Sequence, residues 1–441
     1  MTRARISPCE AVHRLRYNSP GFSQSTYGAS VASMKAIRVS PELKRGRNRL
    51  ATTVVLGHAV KHIYISGLRT ILLPEIKIGL GLSATQLGTL AFSQQAIGWV
   101  TTMGAGYLGD RFASRASLIL GVSLSLMGIS YFLAGEAPNF WIMLAAMLFV
   151  GVGPSLYHPP AIGALSRRFP DRRGLAISLH GTGGSIGEVL GPLVTAVALT
   201  VLVWQDVLHM SMFPALFAAV VIWSMMRSIP GGVPGTTTTR SYFTSLVLLL
   251  KNRAMLSLVM VTALRSMGQS AVVVFLPVYL REDLDYSAAR VAIYLSLAQV
   301  VGIGAQPVMG FLSDRLGRKM VLVPSMIAMG LLFFALRFAD PGAQLVLTII
   351  AMGTFLYSMH AILIAGAMDV AGGEVQSTVV SLIYGAGFLG TMSPIIAGII
   401  ADAYGIPNAF IYGGAVVMVA TVLLAVTKLP RTANQVANSG S

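Results

Sequence analysis

Twelve stretches of the chain are apolar with few interruptions: residues 51–73, 84–107, 116–135, 139–164, 174–203, 206–227, 254–280, 288–311, 320–339, 342–367, 376–400 and 407–427. Each approaches or exceeds the ~20 residues a helix needs to cross a hydrocarbon layer of roughly 30 Å. The strict polar–apolar alternation of a membrane barrel is missing from them. In lipid the backbone must satisfy its own N–H and C=O groups, so the pattern predicts an all-α integral membrane protein with twelve transmembrane helices. After the sixth stretch, Pro230-Gly231-Gly232-Val233-Pro234-Gly235 and four threonines interrupt any helix. That break divides the chain into a six-helix bundle at 51–228, a linker at 229–253 and a second six-helix bundle at 254–428. A basic extension (1–50) and a short tail (429–441) flank them. Residues 241–252 read either as a short amphipathic helix on the membrane face or as an extension of the seventh span.

Composition supports the membrane assignment. Of 441 residues, 54% are hydrophobic and 11% charged, against roughly 25% charged in soluble domains; the mean hydropathy is +0.72. A water-soluble enzyme is excluded. The net charge of +16 is distributed by side of the membrane. With a cytoplasmic N-terminus, 25 of the 32 Lys and Arg fall on the inner side, and only Lys77, Arg281, Arg290 and Arg337 on the outer. The excess of inner cations predicts that both termini are cytoplasmic, in the plasma membrane. These cations flank apolar spans and are not interleaved with aromatics, so no nucleic-acid partner is expected. Ten of them lie in residues 1–50 against two acids, Glu10 and Glu42; this head reads as a disordered cytoplasmic extension or as a start placed upstream of Met34, with a transit peptide as the rival. The single cysteine, Cys9, leaves no disulfide framework or cysteine-based metal cluster. No phosphate-binding loop or hydrolase motif occurs, so no cofactor, metal or enzymatic role is expected.

The two bundles echo each other. Gly106-Tyr107-Leu108-Gly109-Asp110-Arg111-Phe112-Ala113-Ser114-Arg115 follows the second span, and Gly310-Phe311-Leu312-Ser313-Asp314-Arg315-Leu316-Gly317-Arg318-Lys319 follows the eighth, 204 residues later. Leu73-Pro74 and Leu276-Pro277 repeat with an offset of 203. A fixed offset between halves is the trace of a transporter built by duplication. The repeated segment resembles the major facilitator superfamily signature between helices two and three, G-x-L-a-D-r-x-G-r-k; the second copy matches fully and the first departs at Ala113 and Ser114. The resemblance implies the major facilitator fold of two pseudo-symmetric six-helix bundles. It also implies a cytoplasmic charge latch of Asp110, Arg111, Asp314, Arg315 and Arg318, where a plain helix stop would otherwise suffice. Ser155-Leu156-Tyr157-His158-Pro159, Arg173-Gly174-Leu175-Ala176-Ile177-Ser178, and Leu264-Arg265-Ser266-x-x-Gln269 with Phe275-Leu276-Pro277 are similar to the fosmidomycin-resistance-type branch. Gly187-x-x-x-Gly191-Pro192 reads either as a pattern common among antiporters or as a small-residue packing face.

Ionisable groups inside a span are costly and usually line a cavity. The first span carries His58, Lys61, His62 and Arg69; the spacings put His58, His62 and Arg69 on one stripe with Lys61 beside it. The seventh carries Arg265, which the half-to-half offset aligns with residue 61 or 62. Lys61 and Arg265 are thus expected to face each other as a clamp for an anion, with His58, His62, Arg69 and Gln269 nearby. Snorkelling is the alternative for Lys61, against which its depth of about ten residues in the helix argues. Arg69, nearer the outer end, reads equally as snorkelling or as lining a vestibule. Glu188, the one carboxylate deep in a span, is either a proton carrier or a fixed partner for a buried cation. His158 and His180 lie at similar depth and read equally as a proton path or as packed histidines. His360 is read as structural, and Gln94, Gln95, Gln269 and Gln299 as neutral cavity liners. Together these predict a monomeric secondary transporter in the lipid bilayer, exporting a small anionic molecule, such as a phosphonate-type drug, against protons. Proton-coupled uptake, a non-transporting sensor and a membrane-embedded enzyme are the alternatives.

Overall fold

The computed structural model describes residues 41–169, 171–229, 246–371 and 376–429. The head as far as residue 40, most of the linker, the tail and the side chain of Asp110 lie outside the described residues. Twelve helical rods follow in order. Helix α1 runs Arg47–Gly67, passes through a π turn at Leu68–Leu72 and ends with Leu73–Gly79. Helices α2 (Ala84–Arg111) and α3 (Ala116–Gly135) follow; α4 is Phe140–Ser155 resumed as His158–Arg168. Then come α5 (Arg173–Ala198) and α6 (Trp204–Met226). The second half holds α7 (Arg253–Val278, closed by a π turn at Tyr279–Asp283), α8 (Ala288–Leu316), α9 (Arg318–Phe338) and α10 (Ala343–Ala371). Helix α11 is Gln376–Gly390 resumed as Ser393–Tyr404, and α12 is Pro407–Val426.

Among the described residues, nine of these rods are long and apolar enough to cross a membrane. The other three are α1, α2 and α5, whose spans carry His58, Lys61, His62 and Arg69, or Gln86, Gln94 and Gln95, or His180 and Glu188. Polarity that lowers their apolar character is thus concentrated in the first half. Large apolar side chains such as Trp141, Phe217 and Phe149 point outward and are exposed, as a lipid-facing surface requires and a water-facing one would not tolerate.

Proline and glycine shape the rods where the site lies. Proline supplies no N–H and crowds the preceding turn, and α4 breaks at Leu156–Tyr157 ahead of Pro159 and Pro160. The restart presents His158 toward α1, and the Tyr157 hydroxyl donates to the Val54 carbonyl at 3.0 Å, fixing the break against that helix. Glycine lets α5 lie directly on α1: a Cβ on Gly187 would stand 2.2 Å from the Ala59 carbonyl oxygen, and one on Gly184 would stand 2.5 Å from the His58 ring. The Gly187–Gly191 spacing is therefore a packing face in this structure.

The halves meet through α5 against α8 and α2 against α11. Ser296 on α8 donates to the Val189 carbonyl on α5 at 2.9 Å. At the end remote from the chain termini, Arg281 pairs with Glu75 at 2.5 Å and Lys77 with Glu282 at 2.7 Å. There Asp402 of α11 also accepts from the Ala84 and Thr85 N–H groups at 2.7 and 2.9 Å, capping the start of α2. At the other end, Arg47 pairs with Asp171 at 2.9 Å within the first half. Arg318 there pairs with Asp314 and, at 2.9 Å, with Asp369 within the second.

Candidate functional site

A cavity of about 370 Å³ opens between the halves. Arg69 and Gln95 contribute from the first half. Arg265, Ser266, Gln269, Ser270, Val273 and Val274 of α7, Leu356, Tyr357 and His360 of α10, and Gly387 of α11 contribute from the second. Five of the α7 residues follow helical spacing: 266, 269, 270, 273 and 274 recur at three or four residues, so they share one face.

Arg265 is 2% exposed. Its Nη2 donates to the Leu356 carbonyl at 2.8 Å, while its Nε is buried without a hydrogen-bond partner. Among the described residues no carboxylate pairs with it. A guanidinium stays charged in any protein environment, so the cavity wall holds a cation without its counter-ion. His360 stands beside it with a buried Nε2 that also lacks a partner, its ring 4.9 Å from that of Tyr384.

Arg69 differs. It lies in the π turn of α1, a distortion frequent at functional sites, and donates to Glu188 Oε2 at 2.8 Å. The other oxygen of Glu188 accepts from His62 Nδ1 at 2.7 Å. Behind this triad lie three more imidazoles. His58 Nδ1 is 2.6 Å from the His180 carbonyl oxygen, and His58 Nε2 is 3.4 Å from His158 Nε2. The His58 and His180 rings stack at 3.8 Å. Lys61 is 4% exposed on the same helix.

The structure thus gathers His58, His62, Arg69, His158, His180 and Glu188 into one polar core between α1, α4 and α5. It brings Arg69, Arg265 and Gln269 to one cavity. Lys61, expected opposite Arg265, is not among the residues lining that cavity; Arg69 holds the position instead. The offset between halves aligns chain positions but not the direction or depth of a side chain, and residues 61 and 69 stand about 12 Å apart along a helix axis. His360, read from sequence as structural, stands in the cavity wall. Rarity of ionisable residues in a span would have marked it. Ser266, Ser270 and Tyr357 carried no signal beyond their place on a helix face. Of the glutamines, Gln95 and Gln269 reach the cavity, while Gln299 is buried on α8. In the expected latch, Arg111 and Arg315 are exposed, the latter over the Phe311 ring at 4.5 Å. Arg318 ties Asp314 of α8 to Asp369 of α10.

The family profile described as Major Facilitator Superfamily matches residues 54–307 and 258–441. The Fosmidomycin resistance protein of Escherichia coli (strain K12) is 25% identical over 360 residues, spanning 79% of this chain and 85% of that protein. The Multidrug resistance protein MdtG of Yersinia enterocolitica is 24% identical over 327 residues, spanning 71% and 76%. Among solved structures, the nucleoside transporter NupG superposes with a TM-score of 0.71 at 14% identity, over 86% of this chain and 98% of that one. A likeness at that identity speaks for the fold.

Proposed function

Because the chain belongs to the major facilitator superfamily and is an integral membrane transporter, we propose that it exports a small organic anion in exchange for protons by alternating access. The observation that carries the reading is Arg265, a buried guanidinium facing the cavity that no carboxylate among the described residues pairs with. A charge withdrawn from water costs several kcal/mol unless paired, and an anionic ligand supplies the missing partner. The second cation, Arg69, comes from the opposite half. An anion held between the two touches both moving bodies, as a substrate must if its binding is to bias their rocking. Ser266, Gln269 and Ser270 add neutral hydrogen-bonding groups. The volume lies at the small end of the range for small-molecule sites, which suits a compact acid or phosphonate.

Arg69 also explains how empty and loaded carriers differ. Glu188 occupies it in this structure, so an arriving anion competes with an internal carboxylate for one guanidinium. Export is supported by relatives named for resistance. With both termini cytoplasmic, the end tied by Glu75–Arg281 and Lys77–Glu282 is the external one, and this conformation is the one closed to the outside.

The test uses protein reconstituted in acid-loaded inverted vesicles, with anionic, neutral and cationic compounds added in turn and a phosphonate among them. The expected result is proton release on adding anions, absent from protein-free vesicles and from Arg265→Gln. Release by cations alone would overturn the anion reading. Accumulation of the anion inside intact cells would replace export with uptake.

A further inference from the structure

The polar core behind the cavity has a geometry that anion transport does not require. His58 and His62, one turn apart on α1, and His158, at the restart of α4, place one ring nitrogen each within 4.8 Å of the others. Their tautomers follow from their neighbours. The partner of His58 Nδ1 is the His180 carbonyl, which only accepts, so Nδ1 carries the proton and Nε2 presents its lone pair. The partner of His62 Nδ1 is the Glu188 carboxylate, so the same assignment holds, and His62 Nε2 is buried without a hydrogen-bond partner. The Nε2 lone pairs of His58 and His62 are thereby left free by a backbone carbonyl and a carboxylate, the two orienting partners found behind metal-bound histidines.

The remaining distance is informative. His58 Nε2 and His158 Nε2 are 3.4 Å apart, long for a hydrogen bond between nitrogens. For this pair it matches the edge of a tetrahedron whose metal–nitrogen bonds are about 2.0–2.1 Å, which comes to about 3.3–3.4 Å; the His62 nitrogen lies within 4.8 Å of both, so its ring closes on the metal when one binds. We propose that His58, His62 and His158 form a binding site for a divalent transition metal, best suited to Zn²⁺, within the first half of the transporter. Three neutral imidazoles disfavour Ca²⁺ and Mg²⁺, which take oxygen ligands. They leave a fourth position for water, as in three-histidine zinc sites.

The charges around the site make the proposal specific. Glu188 stands behind His62 and stabilises a cation there. Lys61 is buried on the same helix, next to His62 in the chain and one turn from His58, so positive charge on its amine opposes a metal there. Removing Lys61 should therefore strengthen binding, which a purely packing role for the histidines does not predict.

The experiment titrates Zn²⁺ by calorimetry, and Co²⁺ by visible absorption, into metal-free full-length protein in detergent with any tag removed and Cys9→Ser and His13→Ala in place. One equivalent is expected to bind, with the intense absorption of tetrahedral Co²⁺. His62→Gln and His158→Gln should each weaken it at least tenfold, and Glu188→Gln by about 10–100-fold, as for other orienting partners. Lys61→Gln should tighten it, and His209→Gln and His360→Gln should leave it unchanged. Thermal unfolding of each variant identifies any that fail to fold; Lys61→Gln, which removes no ligand, decides the matter if the histidine variants do. Absence of stoichiometric binding overturns the proposal. So does binding indifferent to the histidine variants, an octahedral Co²⁺ spectrum, or affinity unmoved by Lys61→Gln.

Discussion

Replacing Arg265 with glutamine removes the one charged group in the cavity wall that lacks a protein counter-ion among the described residues. Two effects of opposite sign follow. Binding of an anion loses a charge-assisted hydrogen bond in a desolvated site, worth ~1.5–3 kcal/mol. Taking about 3 kcal/mol gives a fall of roughly 150-fold in affinity, at about 1.4 kcal/mol per factor of ten. Stability moves the other way or not at all. The empty protein no longer holds an unpaired guanidinium out of water, and the amide of glutamine remains a donor in place of the bond to the Leu356 carbonyl. Arg265→Lys, which keeps the charge and loses the planar fork, should fall between. Calorimetric titration of an organic phosphonate into purified protein, with melting curves on the same samples, measures both. Wild-type affinity in Arg265→Gln would rule out a role for its charge in anion binding, as would a melting temperature lowered by many degrees with ligand binding intact, the signature of a purely structural arginine.

Other substitutions probe the parts around it. Glu188→Gln vacates Arg69 and should raise anion affinity about tenfold while lowering stability by ~1–3 kcal/mol, because it breaks a partly buried ion pair; titration and melting of that variant report both. Lys77→Glu sets two acids against each other where Glu282 now pairs, shifting the population toward an open remote end; added Glu282→Lys should restore it. In a Cys9→Ser background, labelling of a cysteine introduced at Gln95 follows that opening. Gly187→Ala forces a methyl into the Ala59 carbonyl and should cost about 1–3 kcal/mol. Gly304→Ala, where a Cβ meets nothing within 4 Å, should cost far less, and thermal unfolding compares the two.

Much of the architecture is legible in the chain because lipid leaves the backbone few choices. The spans read from apolar runs coincide with the observed rods: α3 at Ala116–Gly135 and α12 at Pro407–Val426 differ from the reading by a residue or less at each end. Helix α1 runs further than its apolar run, to Gly79, since Glu75 and Lys77 remain helical while pairing across the halves. The breaks in α4 and α11 fall inside the apolar runs 139–164 and 376–400, read as continuous, because proline can kink a helix or stop it and the run itself does not say which. The stripe of His58, His62 and Arg69 was also legible, being a matter of helical angle within one rod. The identity of the cavity's walls was not. Leu356, Tyr357 and Gly387 reach the cavity through the packing of α10 and α11 against α7, a tertiary fact with no periodic signature. The choice of Arg69 over Lys61 depends on depth, which an alignment of the two halves does not encode.

The most direct test of the central claim is the accumulation of a radiolabelled organic phosphonate in inverted vesicles with an acidic interior. Proton-driven anion export gives accumulation against the phosphonate's own gradient, collapsing when a protonophore is added and missing in Arg265→Gln. Vesicles that fail to concentrate any anion while the protein binds one, or that concentrate it regardless of the proton gradient, would contradict it.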